Sequence, residues 1–271
     1  MSDHREDLTE EQIRKYLTKE CENLRLFVLS ETDSTNTLLK KKAEEGTPEG
    51  SVVIAGAQTK GKGRLGRKFY SPAGTGVYLS LLLRPEDLSP EQAVKVTTIA
   101  AVAGCEAIET VSGRKAQIKW VNDIYIEEKK VCGILAEASM GSHNAKFTYI
   151  VLGIGFNVFS PEKGFPEEIK SVAGSIFSEK KENVRNLLAA EFLNHFFSYF
   201  YLDSTKNYVE EYRRRCFVIG KEVYVLTSKE KKRAQVLDVD QECHLVVRYE
   251  EGKVEHLSSG EISIRPVGRW G

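Results

Sequence analysis

Gly61, Gly63 and Gly66 fall within six residues of one another, and Pro72 closes the stretch that contains them. This spacing constrains the chain more than any other feature. Gly61-x-Gly63-x-x-Gly66 matches a dinucleotide-binding fingerprint letter for letter, and Ser51-Val52-Val53-Ile54-Ala55 supplies the strand such a fingerprint needs before it. The fingerprint also needs a helix opening directly after the glycines. Here Lys68-Phe69-Tyr70-Ser71-Pro72 follows, and Pro72 turns Ser71 away from helical angles, which excludes the doubly wound reading. A kinase glycine loop is excluded as well, because no His-Arg-Asp or Asp-Phe-Gly sequence lies downstream. What remains is a loop whose backbone can approach a ligand closely, carrying Lys60, Lys62, Arg64, Arg67 and Lys68 as a field for anions. Read alone, the same residues also describe a solvated basic turn.

The positive charge is local, since Lys+Arg and Asp+Glu both number 39 in the 271 residues. Nothing in that balance calls for nucleic acid or an acidic membrane. The length suits one large domain, or one large and one small. No apolar run is long enough to span a membrane, and the first residues lack a signal-peptide core, so a cytoplasmic location is expected. The five cysteines (Cys21, Cys105, Cys132, Cys216, Cys243) are scattered and never paired as Cys-x-x-Cys. They read as reduced thiols, and no tightly held metal or prosthetic group is expected.

In chain order, Thr9 caps a short helix over Leu8–Leu17, and a strand follows at Leu24–Leu29. That leaves about twenty residues before the first strand, too few for a helix-turn-helix domain. Asp33-Ser34-Thr35-Asn36 caps a helix over Thr37–Ala43, and an open helix end of this kind offers N–H groups and hydroxyls to a small ligand. Strands are expected at 51–57 and Gly76–Leu83, and a long Ala- and Val-rich helix at Pro90–Glu109, with Gly104 allowing close packing. Ala116–Ile126 reads as one strand broken by Asn122-Asp123. Glu127-Glu128-Lys129-Lys130 then forms a turn, and Val131–Glu137 returns. By itself Lys130 is a solvated turn charge; opposite Asn122-Asp123 it would meet a ligand held between loops. Lys146–Val158 reads as a strand ending in a Gly-x-Gly-x-Asn bend, and 183–215 as helix ending in a solvated basic cluster, Arg213-Arg214-Arg215. From about residue 218 the pattern becomes short alternating strands with charged turns, the signature of a small antiparallel barrel of SH3-like size.

Taken together, Asp33-Ser34-Thr35-Asn36, Gln58-x-x-Gly61-Lys62-Gly63-Arg64-x-Gly66-Arg67-Lys68-Phe69-x-Ser71-Pro72, Lys119-Trp120-x-Asn122-Asp123, Lys129-Lys130-x-x-Gly133-Ile134-Leu135-x-Glu137 and Gly153-Ile154-Gly155-x-Asn157 resemble the biotin–protein ligases. The resemblance runs from about residue 25 to 158, and the C-terminal barrel fits the same family. It implies an α+β catalytic domain at 1–217, with a mixed sheet flanked by helices as in class II aminoacyl-tRNA synthetases, and an SH3-like domain at 218–271.

The resemblance also implies two-step chemistry. ATP with Mg2+ activates biotin as biotinyl-5′-AMP, and the biotinyl group passes to one lysine of a biotin carboxyl carrier protein or domain of a biotin-dependent carboxylase. A cationic loop is what such a reaction needs, because two anions must be brought together. By the same resemblance Ser34, Thr35, Asn36 and Gln58 would hold biotin, and Gly61, Lys62, Gly63 and Arg64 would close over it. Arg64, Arg67 and Lys68 would face phosphates, Phe69 would border the adenine, and Asn122 and Asp123 would position phosphate or Mg2+, with Asp123 as the metal ligand. Lys130 would touch both the biotin carboxylate and the α-phosphate, Asn157 would approach the adenine, and Arg265 would reach the nucleotide from the small domain. Lys130, Arg64 and Asp123 form the implied catalytic set.

Three positions depart from the family pattern: Lys62 for a second arginine, Phe69 for tryptophan and Val121 for proline. The neighbouring readings are a lipoate–protein ligase, a biotin-responsive DNA-binding repressor and a biotin-sequestering relative. Zero net charge and the short N-terminal segment favour the enzyme, with no nucleic acid partner. A homodimer formed by edge pairing of the strand at 146–155 is left open.

Overall fold

The computed structural model describes residues 8–85, 90–140, 147–202, 207–226, 230–258 and 263–266. Its elements in order are α1 (Glu10–Arg14), β1 (Arg25–Leu29), α2 (Thr35–Glu44), β2 (Ser51–Ala55), β3 (Gly76–Leu83), α3 (Pro90–Ser112), β4 (Gln117–Lys119), β5 (Asp123–Ile126), β6 (Lys129–Met140) and β7 (Phe147–Asn157). They continue with α4 (Glu167–Lys170), α5 (Val184–Phe197), α6 (Tyr208–Arg215), β8 (Glu222–Leu226), β9 (Lys231–Val239), β10 (Leu245–Tyr249), β11 (Val254–Leu257) and β12 (Ser263–Pro266).

Seven strands form one sheet in the order β1-β2-β3-β7-β6-β5-β4. Only β1 and β2 run parallel, joined by the crossover through α2; every other pairing is antiparallel. The side-chain period of two sorts the sheet into two faces. Val52, Ile54, Leu79, Leu81, Ile150, Leu152, Ile154 and Phe156 pack with α3 and α5 in the main core. The alternate residues Val53, Leu82, Tyr149 and Val151 meet Leu39 and Ala43 of α2. Gly104 lets α3 lie against the sheet, since a Cβ there would come 2.6 Å from Ile124 Cδ1. The second sheet is antiparallel with the order β11-β10-β9-β8-β12, which is the expected SH3-like module, and β12 is a strand the charge pattern of the sequence does not announce.

Five sequence expectations need correction. Residues 116–126 do not form one interrupted strand: β4 and β5 pair with each other, so the chain reverses at Trp120–Asn122. The reversal is fixed by side chains, with Tyr212 OH donating to Val121 O (3.0 Å) and Asn122 Nδ2 donating to Ile134 O (2.8 Å). Lys130 lies on β6 and not in the turn before it. β7 continues through Gly153 and Gly155 to Asn157 without a bend. The strand at 146–155 is not an edge, because β3 and β6 flank it on either side; the open edges are β1 and β4. The basic cluster is not solvated throughout, for Arg215 is buried against Glu109 (2.7 Å).

Candidate functional site

The sheet face that carries α2 is deliberately bare at one end. Continuing the alternation of Tyr149 and Val151 along β7 places Gly153 and Gly155 on that face, and they pair across to Leu135 and Gly133 of β6. Missing side chains at Gly133, Gly153 and Gly155 leave a floor of backbone. Above it lies a cavity of about 490 Å³.

One wall is the N-terminus of α2, whose Ser34 Oγ accepts the Thr37 N–H (3.4 Å). Thr35 donates both its N–H (2.9 Å) and its hydroxyl (3.1 Å) to Gln58 Oε1, while Gln58 Nε2 donates to Ser71 Oγ (3.0 Å). Gln58 therefore acts as a strut between α2 and the end of the glycine loop. Asn36 is tied more deeply still: Ser80 Oγ donates to its Oδ1 (2.5 Å), and its Nδ2 donates to Glu137 Oε2 (2.7 Å). Glu137 also pairs with Lys40 (2.5 Å). Burial raises the Glu137 pKa, but the hydrogen bonds from Lys40 and Asn36 outweigh it and hold the carboxyl below its ordinary value.

The basic loop is a small hairpin. Gly63 N donates to Arg67 O (2.8 Å), Phe69 N to Gly61 O (2.9 Å), and Gln58 N to Ser71 O (3.0 Å). Its tip needs left-handed backbone, taken by Leu65 (φ 56°) and Gly66 (φ 72°). Gly61 is needed for space, since a Cβ there would meet Ser71 Oγ at 2.7 Å. Lys62, Arg67 and Lys68 are exposed around the rim. Phe69 turns inward onto the glycine floor, where a Cβ at Gly155 would come 2.6 Å from Cε1 of its ring, and it meets Tyr78 edge to face (6.3 Å between centroids).

Arg64 reaches across the cavity from the same loop, donating from Nη1 to Asn122 Oδ1 (3.1 Å). Its Nη2 is buried and has no hydrogen-bond partner among the described residues. Burial lowers its pKa from the ordinary arginine value, against the opposing effect of Asp123. Asp123, the first residue of β5, forms an ion pair with Lys130 (Nζ to Oδ1 2.6 Å), and the two side chains keep 23% and 28% of their exposure.

The far wall was not legible in the sequence. Residues 171–174 run beside Lys130: Lys130 N donates to Val172 O (2.7 Å) and Gly174 N returns a bond to Lys130 O (2.9 Å). Phe165, Glu168 and Ile169 extend this wall. Asn157 spends its amide here, donating from Nδ2 to Gly174 O (3.1 Å). The only sequence hints were Gly174, where a Cβ would press on Lys129 Cβ at 2.5 Å, and Pro166, which stands at the N-cap of α4.

Of the expected site residues, Ser34, Thr35, Asn36, Gln58, Lys62, Gly63, Arg64, Arg67, Lys68, Phe69, Asn122, Asp123, Lys130 and Asn157 all line this one cavity. Gly61 lies beneath the loop, outside the lining. Arg265 lies on β12, and its side chain falls outside the described residues. Trp120, unassigned before, also lines the cavity and anchors it to the small domain, its Nε1 donating to Cys243 O (2.9 Å).

Comparison with known proteins agrees with this geometry. Residues 28–157 match the model of the biotin/lipoate A/B protein ligase family, and residues 218–265 match that of the biotin protein ligase C terminal domain. The chain belongs to the biotin protein ligase family. It is 36% identical over 177 residues to the bifunctional ligase/repressor BirA of Bacillus spizizenii, covering 65% of this chain and 54% of that protein. It is 29% identical over 208 residues to the biotin--[acetyl-CoA-carboxylase] ligase of Mycobacterium tuberculosis, covering 74% of each. The structure of the biotin protein ligase from Aquifex aeolicus in complex with biotin and ATP superimposes with a TM-score of 0.69 at 29% identity, over 89% of this chain and 99% of that one. The chain thus spans about half the length of the Bacillus relative it matches. Among the described residues no helix is long and apolar enough to cross a membrane.

Proposed function

We propose that this protein is an ATP-dependent biotin ligase. The biotin carboxylate attacks the α-phosphorus of ATP, the bond from that phosphorus to the bridging oxygen breaks, and pyrophosphate leaves. The ε-amine of one lysine on a biotin carboxyl carrier domain then attacks the acyl carbon of biotinyl-5′-AMP. The acyl C–O bond breaks, AMP departs, and the amine loses a proton to give the amide.

The observation that carries this reading is Arg64, a half-buried residue that lines the cavity and whose Nη2 is buried without a hydrogen-bond partner among the described residues. A buried cationic donor left unmatched is costly, and an anionic oxygen placed against it removes that cost. Arg64 bonds Asn122 and Lys130 pairs with the next residue, Asp123, so Arg64 and Lys130 would together screen the carboxylate from the phosphate it attacks. Their positions are already set by Asn122 and Asp123, so little reorganisation is required. Ser34 and Thr35 would bind the polar ring atoms of biotin, with Gln58 and Asn36 holding those groups in place. Arg67 and Lys68 would meet the outer phosphates, and Phe69 and Asn157 would border the base.

Mg2+ carried by ATP suits the donors present, because such an ion uses one or two carboxylates beside the phosphates, and Asp123 and Glu168 both line the cavity. Bound there, it would neutralise phosphate charge. Asp123 would hold it, and Asp123 also orients Lys130.

Lys130→Ala tests the assignment. Adenylation should fall by about 10²–10³-fold, the usual loss for one preorganised charge-stabilising donor. Asp123 Oδ1 is buried beneath Lys130, but both residues line the cavity, so removing the lysine side chain admits water to the carboxylate, and the far-UV circular dichroism and thermal midpoint should stay near those of the parent. Undiminished turnover would return Lys130 to a structural role.

A further inference from the structure

The connection from β9 to β10 gathers metal-binding side chains that do not line the ligase cavity. Asp240 Oδ1 accepts the backbone N–H groups of Glu242 (3.1 Å) and His244 (2.8 Å), which fixes the carboxylate plane. Its other oxygen faces two imidazoles, His256 Nδ1 at 2.7 Å and His244 Nδ1 at 3.4 Å. One ligand atom each from Asp240, Glu242 and His244 lies within 4.8 Å of the others.

The two imidazole distances differ in kind. At 2.7 Å His256 is hydrogen-bonded to the carboxylate. At 3.4 Å His244 is beyond the usual N–H···O range of about 2.7–3.2 Å. It is instead close to the edge of a tetrahedron, since nitrogen and oxygen ligands at about 2.0–2.1 Å from zinc stand roughly 3.3–3.4 Å apart. We propose that Asp240, Glu242 and His244 bind a divalent transition ion of the zinc class, with His256 holding the Asp240 carboxylate from outside the ligand set.

Two carboxylates and a neutral imidazole suit Zn2+, Co2+ or Ni2+, and water completes the coordination. The backbone bonds and His256 preorganise Asp240. The site has a structural consequence. Cys243 sits between two of the ligands, and its carbonyl receives the Trp120 indole N–H (2.9 Å). An ion bound here would stiffen the strut between the small domain and the wall of the ligase cavity.

Titration of the full-length protein with Co2+ tests the proposal. One equivalent should produce the visible d–d bands of tetrahedral cobalt without a thiolate charge-transfer band. His244→Ala and Glu242→Gln should each weaken binding at least ten-fold with far-UV circular dichroism unchanged, whereas His195→Ala, remote from the cluster, should bind as the parent does. Zn2+ should raise the thermal midpoint of the parent and not of His244→Ala. Absence of bands in the parent, a thiolate charge-transfer band, or equal binding by parent and both cluster variants would overturn the site.

Discussion

At Gly153 the absence of a side chain keeps a buried network intact. A Cβ there would lie 2.9 Å from Asn36 Cγ and 3.0 Å from Asn36 Nδ2. Asn36 cannot withdraw, because Ser80 and Glu137 hold both ends of its amide. Gly153→Ala should therefore destabilise the protein by about 1–3 kcal/mol, as overpacking does, measured as a lower urea midpoint. The Glu137 carboxyl gives a second expectation. Its pKa is depressed in the folded state by Lys40 and Asn36, so the stability it contributes is fully present above its unfolded value and is lost as pH falls through the folded one. Glu137→Gln should cost stability at neutral pH, and the difference between variant and parent should shrink on acidification below the ordinary carboxyl range of about pH 4.3. An undiminished difference there would show that the ion pair is not its source. Arg64, Asp123 and Lys130 stand out in the sequence through the resemblance to the biotin–protein ligases; by charge and spacing alone Lys130 is a solvated turn residue. That Gln58 and Asn36 are tied within the protein could not be foreseen, because their partners, Thr35 and Ser71 for Gln58 and Ser80 and Glu137 for Asn36, are distant in sequence.

The loop at 60–72 is thinly held. Its hairpin rests on a few backbone bonds, and its tip exposes Leu65 at 65%. Biotin lying beneath it would give Arg64 and the loop N–H groups new partners, so amide exchange across 60–72 should slow when biotin is added. Equal exchange with and without biotin would contradict closure of the loop over the ligand. Strands and helices with strong periodicity, such as β3 and α3, were legible because pattern alone dictates them. The reversal at Trp120–Asn122 was not, since it depends on Tyr212 and Cys243 far along the chain. Nor was the wall at 171–174, whose bonds to Lys130 involve backbone and leave no mark in side-chain pattern. The uniform charge of Glu127-Glu128-Lys129-Lys130 predicts a turn over all four residues, while the chain turns at Glu127 and Glu128 and β6 begins at Lys129.

Across the whole molecule, the small domain is joined to the ligase cavity by specific bonds. Trp120 donates to Cys243 O, and Arg213 donates to Val239 O (2.7 Å from Nη2), so two bonds bracket the same turn of the small domain. The short alternating strands of the sequence announce this module, but not its bonding to the cavity, because Trp120 and Arg213 each look complete within a local pattern. If the cationic cavity activates a biotin carboxylate with ATP, the choice of carboxylate is the deciding property, because the matching family model covers lipoate as well as biotin ligases. Exchange of labelled pyrophosphate into ATP, measured with Mg2+ and biotin, lipoate or octanoate in turn, tests it most directly. Exchange with biotin alone is predicted. Exchange supported by lipoate or octanoate instead, or by none of the three in a protein that still binds biotin, would contradict it.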